Sequence, residues 1–233
     1  MTTPSHRAAL IVGAGQGLSA ALARRLAREG IGVALAARNV DKLAALASEV
    51  GAATFACDAA DPAAVRQLFE AVETRLGAPD LVVYNAAMRA RGAIDELDPA
   101  NVRDTLAVNA FGAFLVAQEA ARRMAPRKSG AIFFTGTSAS IKGYAKSSPF
   151  AMGKFAMRGL AQSLARELAP QGVHVVHFVI DGVIRNPGRT EDPNKPDSML
   201  DPDAIAETYL QAFRQSRSAW TWEFELRPWT ETF

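Results

Sequence analysis

Apolar residues fall in short unbroken runs along this chain, separated by longer stretches in which they recur every three or four positions. The runs are "AALIV" at 8–12, "GVALAA" at 32–37, "ATFAC" at 53–57, "DLVVY" at 80–84, "GAIFFT" at 130–135, "VHVVHFVI" at 173–180 and "WTWEFEL" at 220–226. Runs of that length with little internal polarity predict strands buried on both faces. In the first intervening stretch, 17–30, Leu18, Leu22 and Leu26 share one helical face, and Gly30 closes it as a C-cap. Further helices are expected over about 40–50, 62–76, 99–125 with a break near Asn109, and 148–172 with Ser148 and Pro149 as N-cap and first-turn residues. Seven strands alternating with helices predict one α/β domain over 1–233, a Rossmann-type doubly wound parallel sheet with helices on both faces.

One segment breaks this rhythm. "RNPGRTEDPNKPDSML" at 185–200 is polar, carries three prolines and is long for a connection in a compact domain. Its place after a strand's carboxyl end predicts a lid rather than a linker. With residues 88–98 it is expected to wall a substrate pocket. The four arginines there, Arg89, Arg91, Arg185 and Arg189, suit an anionic substrate but also suit plain surface.

Composition narrows the function classes. A hydrophobic fraction of 49% and a net charge of only +2 describe a globular chain without the basic stripe that nucleic acid requires. The densest basic cluster, "ARRMAPRK" at 121–128, reads as a helix C-terminus. A lone cysteine, Cys57, leaves no internal disulfide, and the first apolar run is too short for a secretory leader or a membrane span, so a cytoplasmic protein is expected. His174 and His177 are three apart on one strand and so face opposite sides; without ligand partners at metal spacing they predict no metal site.

The chemistry starts at "IVGAGQGLS", where glycines 13, 15 and 17 follow the first strand and open the first helix. Such a turn lets main chain approach a pyrophosphate, whose charge the helix N-terminus favours. After the second strand the sequence reads Ala36-Ala37-Arg38-Asn39, with an arginine where an acid would hold a free ribose hydroxyl, which favours NADP(H) over NAD(H). Asp58, past the third strand, is placed either to accept from an adenine amino group or to serve as a helix N-terminal acid ahead of Pro62.

With these motifs in order, the chain resembles a short-chain dehydrogenase/reductase almost end to end. The family's TGxxxGxG turn corresponds to Val12 through Ser19, with Gly13 and Gly17 kept and Ser19 replacing the last glycine. Its NNAG corresponds to Tyr84-Asn85-Ala86-Ala87, its helix asparagine to Asn109 in "LAVNAFGAF", and its PG turn to Asp181-Gly182. The resemblance implies cofactor contacts from Gly13, Gly15, Gln16, Gly17, Leu18, Arg38, Asp58, Ala59, Asn85, Ala86, Lys154, Gly182 and Ile184. It also implies a catalytic Asn, Ser, Tyr and Lys, of which Asn109 and Lys154 are present. The serine role falls on Thr137, with Ser138 second and Ser140 nearby in "TGTSAS".

The tyrosine is missing: "SSPFAMGK" puts Phe150 four residues before Lys154. The resemblance extends to a subgroup carrying phenylalanine at this position. A positioned proton donor is worth roughly 10²–10⁴-fold in rate, about 3–5 kcal/mol. Tyr144, Ser147, the Thr137 and Ser138 hydroxyls, or a water held by Lys154 and Asn109 could take its place. A substrate reactive enough to need no donor is a second option, and a non-catalytic NADP(H)-binding sensor or scaffold a third. The expected activity is an NADP(H)-dependent oxidoreductase acting on a small carbonyl or alcohol. A homodimer or homotetramer is expected: core packing explains the Leu160, Leu164 and Leu168 stripe, but the resemblance implies that the same helix often forms an interface, and the tryptophan-rich tail could cross to a neighbour.

Overall fold

A computed structural model describes residues 7–231 of the chain. Residues 1–6 and 232–233, which include the start of the N-terminal segment and the end of the tail discussed above, lie outside the described residues. The strands are β1 (Ala8–Val12), β2 (Gly32–Ala37), β3 (Ala53–Ala56), β4 (Leu81–Tyr84), β5 (Ala131–Thr135), β6 (His174–Ile180) and β7 (Glu223–Leu226). They form one sheet in the order β3-β2-β1-β4-β5-β6-β7, with every pairing parallel. The sequence reverses direction across the sheet between β1 and β4, so a crevice opens at their carboxyl ends.

The helices are α1 (Leu18–Arg28), α2 (Ala44–Val50), α3 (Pro62–Leu76), α4 (Pro99–Leu106), α5 (Gly112–Arg127), α6 (Ser148–Leu168) and α7 (Pro202–Phe213). Alternate strand residues feed two separate cores, as the pleat requires. Ala9 and Ile11, Val33 and Leu35, Leu81 and Val83 pack with Leu22 and Leu26 of α1 and Tyr209 and Leu210 of α7. Leu10 and Val12, Ala34 and Ala36, Val82 and Tyr84 pack on the other face with Phe69 of α3, Val116 of α5 and Met157 of α6. That two-sided burial is why the five inner strands read as continuous apolar runs; the edge strands β3 and β7 are only partly buried, contrary to the sequence expectation, because their outer positions are left uncovered.

Several boundaries differ from the sequence reading. Trp220, Thr221 and Trp222 precede β7 rather than belonging to it. A 3-10 turn over Arg217–Ala219 leads into them, and Trp220 stacks on His174 at 4.6 Å. The N-cap of α6 is Ser147, one residue earlier than expected, and Gly172 ends a 3-10 extension of that helix at φ +76°. Helix α7 went unread because the proline-rich loop before it masked its start. Asp201 caps it, its side chain accepting from the Asp203 amide at 2.8 Å. The expected break near Asn109 is a π-helical turn over Ala107–Phe111 between α4 and α5. The 185–200 loop is tied at its base, with the Arg185 amide donating to the Leu200 carbonyl at 3.0 Å and the Leu200 amide to that of Val183 at 2.8 Å. The described part of the tail lies on this same loop, Trp229 and Thr230 both bonding to Asp197.

Candidate active site

The first βα turn is built around one obligatory glycine. Gly13 sits at φ +83°, and a Cβ there would collide with the backbone of Ala86, so β1 and β4 approach this closely only because residue 13 has no side chain. Gly13 and Ala14 donate to the Ala36 carbonyl at 2.9 and 3.0 Å, and the Asn85 amide donates to the Val12 carbonyl at 2.8 Å. Ser19, in place of the family's last glycine, accepts from Asn85 Nδ2 at 2.7 Å and lies 3.4 Å from the Gly13 carbonyl. A Cβ at Gly15 would meet no atom of the chain, which leaves that stretch of backbone open to the crevice.

The crevice is a cavity of about 630 Å³ crossing the carboxyl ends of β1 through β4. Of the residues expected to hold a dinucleotide, Gly13, Gly15, Gln16, Arg38, Asp58, Ala59, Asn85 and Ala86 line it. Arg38 is exposed there and pairs with no carboxylate among the described residues. Asp58 is not a helix cap: Asp61 caps α3, accepting from the Ala63 amide at 2.7 Å, while the Asp58 carboxylate accepts from the Ala60 amide at 3.0 Å. Its remaining carboxylate capacity faces the cavity. Lys42 also lines the cavity and was missed, although a second cation four residues beyond Arg38 is the signal that could have found it. Cys57 forms part of the wall, and burial pushes its thiol up to about 11, which leaves it unreactive at neutral pH.

The other expected contacts lie apart from this cavity. Leu18 is buried in the core below the turn, and Gly17 faces Asn186 of the long loop. Gly182, at φ +149°, is pressed against Pro228, and Ile184 pairs with Leu200.

The proposed chemical groups sit where α6 crosses the π turn. Gly153 allows the crossing, since a Cβ there would come 2.6 Å from Asn109 Cβ. Asn109 is wholly buried, and its side-chain amide is clamped to the Met88 backbone, accepting at 2.9 Å and donating at 2.8 Å. Lys154 is 2% exposed and donates to the Thr135 carbonyl at 2.9 Å. Burial, and secondarily the charge of Arg89, lowers its pKa to about 7. The Phe150 ring, 6% exposed, stands 5.8 Å from Lys154 Nζ and 4.3 Å from the Arg89 guanidinium, which lies over it.

The hydroxyls sort themselves. Ser140 is fully buried and its Oγ accepts from the Thr137 amide at 3.1 Å, so it is structural. Thr137 Oγ1 accepts from the Ala139 amide at 3.0 Å and keeps its own proton to donate, while Ser138 is half-buried beside it. Tyr144 lines a surface hollow with Ala151, Met152 and Phe155, residues on the side of α6 opposite Phe150 and Lys154, which speaks against it as the missing donor. Behind the site, His177 lies under Gly136 with Nδ1 on Glu223 at 3.0 Å, and burial lowers its pKa to about 4. His174 packs on the opposite face, as the strand alternation predicts.

Comparison with known proteins fits this geometry. Residues 7–196 match the family model described as short chain dehydrogenase. The granaticin polyketide synthase putative ketoacyl reductase 1 of Streptomyces violaceoruber is 32% identical over 192 residues, 79% of this chain and 70% of that protein. A short-chain dehydrogenase structure from Rhodopseudomonas palustris is 31% identical with a TM-score of 0.82, covering 97% of this chain and all of that one. The alcohol dehydrogenase of Thermococcus sibiricus, solved with 5-hydroxy-NADP, is 26% identical with a TM-score of 0.85 over 97% and 98% of the two chains. The chain belongs to the short-chain dehydrogenase family of oxidoreductases. No helix among the described residues is long and apolar enough to cross a membrane.

Proposed function

We infer that the protein is an NADP(H)-dependent oxidoreductase acting on a small carbonyl or alcohol. One observation carries the cofactor preference: two exposed cations, Arg38 and Lys42, line the end of the cavity that follows β2, with no acid on that strand end to hold a free ribose hydroxyl. The complex of the Thermococcus relative with 5-hydroxy-NADP supports the same choice. Bound there, a nicotinamide dinucleotide supplies the hydride. The open backbone at Gly15 and Gln16 would receive its pyrophosphate, Asp58 and Ala59 its adenine, and Lys154 its nicotinamide ribose.

The carbonyl oxygen is polarised by Thr137 or Ser138, whose hydroxyl protons remain available. A proton must still reach that oxygen, and Phe150 has none to give. With Tyr144 on the far side of α6, the Ser147, Thr137 and Ser138 hydroxyls and solvent water near Lys154 are the remaining sources. The buried phenylalanine also supports a second reading, an NADP(H)-binding sensor or scaffold without turnover. NADPH oxidation over aldehydes, ketones and quinones, run on the native protein and on Phe150→Tyr, separates the two. Native turnover upholds the oxidoreductase; turnover by the tyrosine variant alone moves the sensor reading ahead.

The reading includes a homodimer or homotetramer and a cytoplasmic location. Phe111 and Phe114 of the π turn and α5, and Met152 and Phe155 of α6, are exposed apolar residues that an identical partner would cover. Sedimentation showing only monomer would overturn the oligomer.

A further inference from the structure

The four loop arginines are not equivalent in the folded chain. Arg185 bonds to Asp201 at 2.5 Å and is neutralised there. Arg89, Arg91 and Arg189 pair with no carboxylate among the described residues, and the charges that bear on Arg89 are those of the other two. All three come from the segments flanking the mouth of the site, residues 88–98 and 185–200. The Asn186–Arg189 turn stands over the first glycine turn, with Asn186 4.0 Å from where a Gly17 Cβ would be.

Arg89 is also held rather than loose. Asn109 clamps the preceding residue, Met88, by two hydrogen bonds, and the Gly92 amide donates to the Lys146 carbonyl at 3.1 Å just beyond. Between those two anchors the Arg89 guanidinium lies 4.3 Å over the Phe150 ring, with buried Lys154 on the same ring at 5.8 Å. Stacking leaves the edge of a guanidinium free to donate. An aromatic ring with a guanidinium stacked on it, beside Lys154 and near two further arginines, has no carboxylate paired to those arginines among the described residues, so an incoming anion stabilises it.

We propose that the substrate is a carbonyl or alcohol compound bearing an anionic group, a carboxylate or a phosphate, and that Arg89, seated on Phe150, is the residue that binds that group, with Arg91 and Arg189 at its rim. The proposal rests on the oxidoreductase reading for the reacting carbonyl. Phe150 thereby has a positive role: its ring face seats the guanidinium.

The test uses the full chain saturated with NADPH, so that Arg38 and Lys42 are occupied. Three probes of one shape are compared by calorimetry and by NADPH oxidation: 4-carboxybenzaldehyde, 4-formylphenyl phosphate and uncharged 4-methylbenzaldehyde. The charged probes are expected to bind roughly 10- to 100-fold more tightly than the neutral one, the scale of a charge-assisted contact, and to lose that margin in Arg89→Gln. Arg185→Gln should leave it intact. The carboxylate and phosphate arms show which anion fits. Equal binding of charged and neutral probes by the native protein, or an unchanged margin in Arg89→Gln, overturns the proposal. Selective binding without any oxidation would uphold the anion site while removing the oxidoreductase reading, so the two fail separately.

Discussion

Replacing Lys154 by methionine tests the electrostatics of the site independently of substrate. The lysine is 2% exposed with a single hydrogen bond, to the Thr135 carbonyl, and its pKa falls from the ordinary 10.5 to about 7. Between those two values the unfolded chain holds a proton that the native chain has released, so stability rises with pH across that window. The charging penalty is fully present below it. At about 1.4 kcal/mol per pH unit, the native protein should gain about 2.5 kcal/mol in unfolding free energy between roughly pH 6.5 and pH 9 from this group alone. Methionine fills nearly the same volume without a proton to lose. Urea denaturation of both proteins at the two pH values isolates the effect, since every other group is shared and cancels in the difference. The rise should be present in the native protein and smaller by that amount in Lys154→Met. Equal rises would refute the reasoning and mean that water or a nearby acid solvates the ammonium.

Three further outcomes follow from the geometry. Arg38→Asp should weaken NADPH by roughly 10- to 100-fold and NADH far less, with Lys42→Ala shifting the same ratio more mildly; equal losses for both cofactors in a fluorescence titration would show that neither cation reads a phosphate. Gly13→Ala should cost about 3 kcal/mol or more, because it adds a positive-φ penalty to a collision with Ala86 backbone, and should abolish cofactor binding; near-native thermal stability would contradict it. Tyr209→Phe removes the buried bond to Thr135 Oγ1 at 2.9 Å and should cost about 1–3 kcal/mol by leaving that hydroxyl unpaired, measurable by chemical denaturation.

The sheet was legible because its five inner strands are buried on both faces and burial writes itself as an apolar run, a signal that the partly buried edge strands β3 and β7 carry only in part. The glycine turn and Arg38 were legible for a related reason: local backbone demands and a missing acid are visible within a few residues. The start of β7 was not, since a 3-10 turn and a tryptophan stacked on His174 follow from tertiary packing; helix α7 carries a local signal, Asp201 ahead of Pro202 and Ile205, Tyr209 and Ala212 at helical spacing, but behind a proline-rich loop. The site divides the same way. Asn109, Thr137, Ser138 and Lys154 were found by position in a motif, but sequence alone could not say that Asn109 holds Met88, or that Ser140 is consumed by the Thr137 amide.

The loss of the tyrosine hydroxyl looked, along the chain, like a subtraction. In three dimensions residue 150 has neighbours that the sequence places 61 positions away at Arg89 and four away at Lys154; the guanidinium is charged throughout, and the lysine, with its pKa at about 7, is charged at and below neutral pH. A phenol between them would be driven toward its anion and would neutralise part of their charge. A phenyl ring cannot, so the substitution leaves the site more positive than a tyrosine would under the same conditions. The change that removes a proton donor therefore also enlarges the field that attracts an anionic substrate and stabilises negative charge developing on its oxygen. On this argument Phe150→Tyr should do two opposed things: raise the rate with neutral carbonyl compounds and weaken the binding of charged ones. Steady-state kinetics on a neutral and an anionic aldehyde, with rate and affinity separated, would show both. An improvement of both affinities would mean that the positive field has no part in selecting the substrate.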